Sequence, residues 1–222
     1  MHSVVQPPLG WDPVGNIPLK PVDVERIGIY FDKGLIKVLG DEVRPGMQVA
    51  DMGAAKGQRA LLLAGKGAFV DSIEIDADSL KVAGERVSEA PKDMAARITL
   101  VESDLFNNPS LKGKRYDIIS FNPPLMNDRP LPADGDYIRI AYDIDFKLLQ
   151  RFLAESRDRL KPDGRIIMGY GYDDLVDKTG HIERGGIQTL KKHAENDYEI
   201  KLVMGEKGLY YGIYKLTLKQ EK

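Results

Sequence analysis

A doubly wound α/β fold, with a mostly parallel sheet seven strands wide, is what this sequence predicts, and three observations carry the prediction. Short apolar runs alternate with helical patterns from residue 47 to residue 195. The first of those runs closes on a glycine turn, MQVADMG into AAKG. The last two runs are parted only by a short segment from Gly205 to Gly208, the spacing of a hairpin. Strands separated by helices need crossovers and run parallel, whereas a tight turn makes its strands antiparallel. The expected architecture is therefore a Rossmann-like doubly wound, mostly parallel seven-stranded sheet with a C-terminal antiparallel hairpin.

Taken in order, residues 1–30 read as a proline-rich arm and 31–222 as the folded domain. Five prolines and two glycines before residue 22 leave little room for regular structure, and Trp11, the single tryptophan, reads as the arm's anchor. A helix is expected over 32–40, closed by Gly40. Strands follow at 47–53, 69–76, 97–104 and 116–122, with helices at 58–64 and 79–89 between them. A long amphipathic helix spans 143–160. The Lys161-Pro162-Asp163-Gly164 turn leads into a strand at 165–172, then a helix near 184–195 and strands near 198–204 and 209–218.

Composition narrows the chemistry. With 222 residues, 42% of them hydrophobic, the chain can bury a core. A formal net charge of −2 gives no general basic footprint for nucleic acid. There is no cysteine, so neither a disulfide framework nor a thiol nucleophile is available. The three histidines, His2, His181 and His193, form no short-spaced pair, and no metal site is expected. No apolar run approaches the roughly 20 residues needed to span a bilayer, and the N-terminus lacks the basic-then-apolar pattern of a signal peptide. A cytoplasmic protein with no membrane partner is expected.

The turn VADMGAAKG, residues 49–57, sits where α/β sheets bind ligands, beyond the carboxyl end of a strand. It fails the dinucleotide fingerprint at Ala55 and Gln58, and Gly65-Lys66-Gly67 fails the phosphate-binding loop. It resembles the first motif, hhDhGxGxG, of class I S-adenosylmethionine-dependent methyltransferases, with Ala55 in place of the middle glycine. The resemblance implies S-adenosyl-L-methionine as cofactor. Asp51 would orient its amino acid portion, and Gly53, Ala54, Ala55 and Gly57 would pass close to it. Glu74, with Ile75 beside it and Asp76 as the alternative acid, would accept the ribose hydroxyls. Asp104 would accept the adenine amine, with the Leu105 amide reaching a ring nitrogen.

The fourth strand ends in Asn122-Pro123-Pro124-Leu125, which resembles the (N/D/S)PP(Y/F/W) motif of amino-group methyltransferases. The family is that of the HemK-like and methyltransferase small domain enzymes, which modify glutamine in release factors and ribosomal proteins, or bases in RNA. By that resemblance the Asn122 side chain, which also borders the cofactor, and the Pro123 carbonyl hold a planar amine, and the prolines fix the backbone that aims them. Leu125 departs from the pattern, because the family usually places an aromatic ring there for a flat substrate to stack on. Phe121, Tyr137, Tyr142 or Trp11 would be other sources of a ring.

The expected function is N-methylation of a protein glutamine or an RNA base. Small-molecule methylation and a noncatalytic nucleoside-binding or accessory role stand as alternatives, and a partner subunit is possible. Residues 126–142, with Arg129, Asp134, Asp136 and Arg139, are the expected substrate lid.

Overall fold

The computed structural model describes residues 33–127, 141–205 and 211–220. The proline-rich arm with Trp11, most of the expected lid including Tyr137, and residues 206–210 of the C-terminal turn lie outside the described residues.

Residues 33–42 are helical (α1). The helix continues through Gly40, which the sequence suggested as its end. A glycine inside a helix costs only about 1 kcal/mol, and burial of Leu35, Val38, Leu39 and Val43 outweighs it. The remaining elements are β1 (Gln48–Met52), α2 (Gln58–Gly65), β2 (Phe69–Glu74), α3 (Ala77–Glu89), α4 (Lys92–Ala95), β3 (Ile98–Glu102) and β4 (Tyr116–Phe121). Next come α5 (Lys147–Arg157), β5 (Leu160–Gly171), β6 (Leu175–Val176), β7 (Ile182–Arg184), α6 (Ile187–Ala194), β8 (Tyr198–Met204) and β9 (Tyr211–Leu218).

Seven strands form one sheet in the order β3-β2-β1-β4-β5-β9-β8. The first five are parallel, and β9 runs antiparallel to both β5 and β8. The predicted doubly wound sheet with its C-terminal hairpin is thus the observed one. Alternate residues of each strand serve opposite faces, as the pleat requires. Val49, Ile118, Ile167 and Ile213 meet the helical residues Leu35, Leu39 and Leu63 on one side. Ala50, Ile119, Phe121, Met168 and Tyr214 meet Leu149, Phe152 and Leu190 on the other.

Two local differences have physical reasons. The Lys161–Gly164 turn is looped out within β5 rather than preceding it: Tyr116 opposes Leu160, but Ile118 opposes Arg165. The long helix expected from residue 143 begins only at Lys147, because Asp145 and Phe146 take left-handed backbone, φ 57° and 54°. Asp143 caps α5 from outside that kink, its carboxylate accepting from the Leu148 and Leu149 amides at 2.8 and 2.9 Å. Burial pushes the Asp143 carboxyl above its ordinary range, even though these amides and His193 act against the rise.

A separate two-stranded hairpin, β6–β7, stands between β5 and α6. The sequence pattern predicts no strands there.

Candidate active site

The order of strands decides where a ligand can sit. The chain leaves β1 toward β2 on one side and later returns to place β4 on the other, so β1 and β4 flank the point where the winding reverses. Open α/β sheets bind their ligands at the strand ends beside such a point. Met52, the last residue of β1, lies opposite Phe121, the last residue of β4. The glycine turn and the Asn122-Pro123-Pro124-Leu125 segment therefore emerge side by side.

The turn is built from left-handed backbone. Gly53, Ala55 and Gly57 have φ of 60°, 46° and 79°. A Cβ at Gly53 would come within 3.2 Å of the Phe121 ring, and one at Gly57 within 3.0 Å of Ala83. Only glycine meets both conditions at those positions. Ala55 takes the same backbone with a side chain, at a cost of about 1–2 kcal/mol. Leu105, beyond β3, is also left-handed, φ 51°, and buried. Two predicted cofactor residues thus carry backbone strain of the kind that collects at ligand sites.

Asp51 is fully buried. Its Oδ1 accepts from Arg59 Nε at 2.7 Å and from the Ser120 hydroxyl at 2.8 Å. Arg59, itself buried, donates onward from Nη2 to the carbonyls of Met52 and Gly53 at 3.2 and 2.8 Å. Asp51 therefore holds the glycine turn in shape through Arg59. The sequence reading passed over Arg59, although a single arginine in the otherwise apolar run of α2, QRALLLAG, was a signal for a buried charge pair.

Glu74 also ties the site together. Its Oε2 accepts from the Ala55 amide at 2.8 Å, and its Oε1 from the Ile75 and Asp76 amides at 2.8 and 3.1 Å. Asp76, the alternative acid, caps α3 by accepting from the Ser79 amide at 2.8 Å. Ile75, next to Glu74 in sequence, is 54% exposed. Asp104 faces solvent in part and pairs with Arg151 of α5 at 3.0 Å. That carboxylate favours the charged guanidinium and raises the Arg151 pKa.

Asn122 is half-buried, Pro123 and Pro124 are buried, and Leu125 is half-buried against the core. The segment beyond the prolines is held from both edges. Leu125 and Met126 donate to the Ala141 carbonyl at 3.2 and 2.9 Å. On the other edge Asn127 donates to Glu183 at 2.8 Å, and Gly185 donates to Leu125 at 2.9 Å. The β6–β7 hairpin is thus joined directly to the candidate acceptor segment. Of the rings proposed for a flat substrate, Phe121 is committed to the core against Phe152, centroids 4.5 Å apart. Tyr142 is half-buried and bridges Met126 through its backbone. A ring that sequence reasoning missed does reach the motif: Tyr211 of β9 donates its hydroxyl to Asn122 Oδ1 at 2.5 Å.

Among the described residues no group of three or more His, Cys, Asp or Glu side chains could hold a metal ion. No helix there is long and apolar enough to cross a membrane.

Known proteins resemble this chain in sequence and in fold. The chain is 29% identical over 153 residues to a protein of Parabacteroides distasonis named tRNA1(Val) (adenine(37)-N6)-methyltransferase, covering 65% of this chain and 63% of that one. A protein of the same name from Dyadobacter fermentans is 30% identical over 174 residues, covering 73% and 68%. The ribosomal protein uL3 glutamine methyltransferase of Bordetella pertussis is 32% identical over 156 residues, covering 66% and 51%. The matched region therefore spans between half and about two thirds of these relatives. Among solved structures, the glycopeptide N-methyltransferase MtfA superposes with a TM-score of 0.63 at 13% identity, covering 88% of this chain and 100% of that one. MtfA is also described in complex with S-adenosyl-L-methionine. Residues 31–172, from the first described helix through β5, match the model of the methyltransferase small domain, and the chain belongs to that family.

Proposed function

We propose that the protein is an S-adenosylmethionine-dependent N-methyltransferase acting on a planar amino or amide nitrogen. One observation carries the proposal: the register of β1 on β4 makes the glycine turn and Asn122-Pro123-Pro124-Leu125 leave the sheet side by side, where a ligand crevice is expected.

The residues on the β1 side of that crevice fit an adenosyl group. The bare glycines let backbone approach a ligand. Three of the four or so acceptor positions of Glu74 are filled by amides, which fixes its carboxylate with capacity left toward a ribose hydroxyl. Asp104 offers an acceptor just beyond the adjacent strand β3, and Ile75, next to Glu74 in sequence, offers an exposed apolar side chain. S-adenosylmethionine, bound there, supplies an electrophilic methyl group on a sulfonium.

On the β4 side, Asn122 Oδ1 and the Pro123 carbonyl are the acceptors for the N–H bonds of the substrate. A planar amine is a weak nucleophile because its lone pair is delocalised. Two fixed acceptors favour the pyramidal nitrogen of the transition state over the flat ground state. Neither proline has an amide hydrogen, and their restricted φ holds the carbonyls in place before substrate arrives. Asp51 and Arg59 shape the turn.

An RNA base is the first acceptor reading, supported by the tRNA adenine methyltransferases among the relatives. A protein glutamine is the second, favoured by Leu125 at the place of the family's stacking ring and by the net charge of −2. Both acceptors belong to translation, so the setting proposed is the cytoplasm.

The test incubates the protein and methyl-labelled S-adenosylmethionine with unmodified tRNA transcripts in one arm and purified release factors and ribosomal proteins in the other. Label in N6-methyladenine or in N5-methylglutamine identifies the acceptor, and Asn122→Ala should lower kcat by about 10²–10³-fold with little change in affinity for S-adenosylhomocysteine. No thermal stabilisation by millimolar S-adenosylhomocysteine, together with no label in either arm, would sink the proposal.

A further inference from the structure

Asn122 does not stand alone at the end of β4. Three neighbouring strands meet there: β4 ends one residue before Asn122, β5 contributes Gly169, and β9 begins with Tyr211. Tyr211 pairs across the sheet with Gly171, two residues further along β5 and on the same face as Gly169. Its side chain passes over Gly169 and donates to Asn122 Oδ1 at 2.5 Å. A Cβ on Gly169 would fall on the phenol oxygen itself, so glycine there is what admits the ring. The contact joins residues 89 positions apart and depends on a second residue having no side chain.

A terminal amide is nearly symmetrical in shape and can present either its oxygen or its NH2 to a ligand. Only the oxygen can accept from a substrate amine. A phenol hydroxyl can donate or accept; here it donates to Oδ1, a bond that favours this orientation of the amide and uses one of the two lone pairs of the oxygen.

From this geometry we infer that Tyr211 is a positioning residue for the acceptor amine: it holds Asn122 with Oδ1 toward the crevice, and Gly169 keeps the path between them open. The inference rests on the reading of Asn122 as an amine acceptor and adds a residue from outside the motif. It also brings an aromatic ring to the motif from β9, where Leu125 offers none.

Two readouts test it. With asparagine labelled by 15N, the side-chain amide signals of Asn122 are assigned by their loss in Asn122→Ala. Tyr211→Phe keeps the ring and removes the donor, and Gly169→Ala keeps the donor and displaces the ring. Both should shift the Asn122 signals. With whichever acceptor the wild type methylates, Tyr211→Phe should lower kcat on the order of tenfold, the factor expected for one hydrogen bond. KM for S-adenosylmethionine should stay within about twofold. The double variant Tyr211→Phe/Gly169→Ala should lose no more than either single one, because both changes break the same contact.

Unmoved Asn122 signals in Tyr211→Phe would overturn the inference, with or without an active acceptor. So would full kcat in Tyr211→Phe, or losses that multiply in the double variant. Signals that move in both variants of a protein that methylates neither tRNA nor protein would support the Tyr211–Asn122 contact and count against methyl transfer.

Discussion

Asp51 and Arg59 show how a charge can be placed inside a sheet for the sake of a turn outside it. The pair is buried, with side-chain exposures of 0% and 6%, and Arg59 also donates from Nη2 to the backbone it must hold. Removing one partner leaves the other charge buried, which costs about 3–5 kcal/mol. Arg59→Met is therefore expected to lower Tm by about 6–20 °C, measured by calorimetry, and to weaken S-adenosylhomocysteine binding as the Gly53 turn loosens. A Tm within 2 °C of wild type would show that Asp51 does not depend on the guanidinium. The acid itself was legible in VADMG, because motifs of strand-end residues are local in sequence. Its partner was less so: the contact crosses from strand to helix, and periodicity alone assigns an arginine in an apolar helix to no particular neighbour.

Among the elements, the β6–β7 hairpin was the least legible. Its strands have two and three residues, too short for alternation to register against the surrounding helix pattern. What holds it is tertiary. Asp177 gathers the hairpin loop by accepting from the Thr179 amide, the Thr179 hydroxyl and the His181 amide at 2.7–2.9 Å. Asn127 then staples the hairpin to the segment leading into α5. Its Nδ2 donates to the Ile182 carbonyl at 2.8 Å and its Oδ1 accepts from the Asp145 amide at 2.6 Å. Asn127→Ala should remove both links, at about 1–3 kcal/mol of local stability. Hydrogen exchange should then accelerate at Asp145 and Arg184, while β1 and β4 remain as protected as before. Unchanged exchange at the hairpin would mean that its backbone bonds to Leu125 and Asn127 suffice. The larger helices and the central strands were read nearly in place, because their burial follows the simple periods of 3.6 and 2.

Across the whole molecule, the class of fold and the C-terminal hairpin followed from the alternation of strands and helices and from the short spacing of the last two strands. The Tyr211–Asn122 contact did not, since no local rule joins a C-terminal strand to a motif 89 residues earlier. The same long-range assembly sets the acid stability. Glu42, just before β1, pairs with Arg165 of β5 at 2.9 Å and with Lys215 of β9. Burial pushes the Glu42 carboxyl up, but the two cations together outweigh it, and the group titrates below its ordinary range. Asp117 behaves alike, with burial outweighed by Lys161, the Gln48 amide and Arg165. A depressed folded pKa contributes stability that is complete above the unfolded value, about 4.3 for glutamate, and is lost as pH falls through the folded value. Glu42→Gln should therefore lower Tm at pH 7 and flatten the loss of Tm below about pH 5. A variant that parallels the wild-type acid limb would remove Glu42 from the account.

The reversal of winding between β1 and β4 divides the work of the protein into two hereditary halves. Under the proposed function, residues from β1 through Leu105 would serve the methyl donor, and those from β4 onward, including the hairpin and β9, the acceptor. Asp104 follows β3, and Asn122 follows β4 three strands away in the sheet, roughly 14 Å at the usual strand spacing. Changes on the two sides should then multiply independently: Asp104→Ala and Tyr211→Phe should combine in kcat/KM to within about twofold of the product of their separate effects. Strong coupling between them would show that the crevice behaves as one unit. Independence would leave the acceptor half able to change its substrate by drift in a loop, a hairpin or a single strand while the donor half stayed as it was.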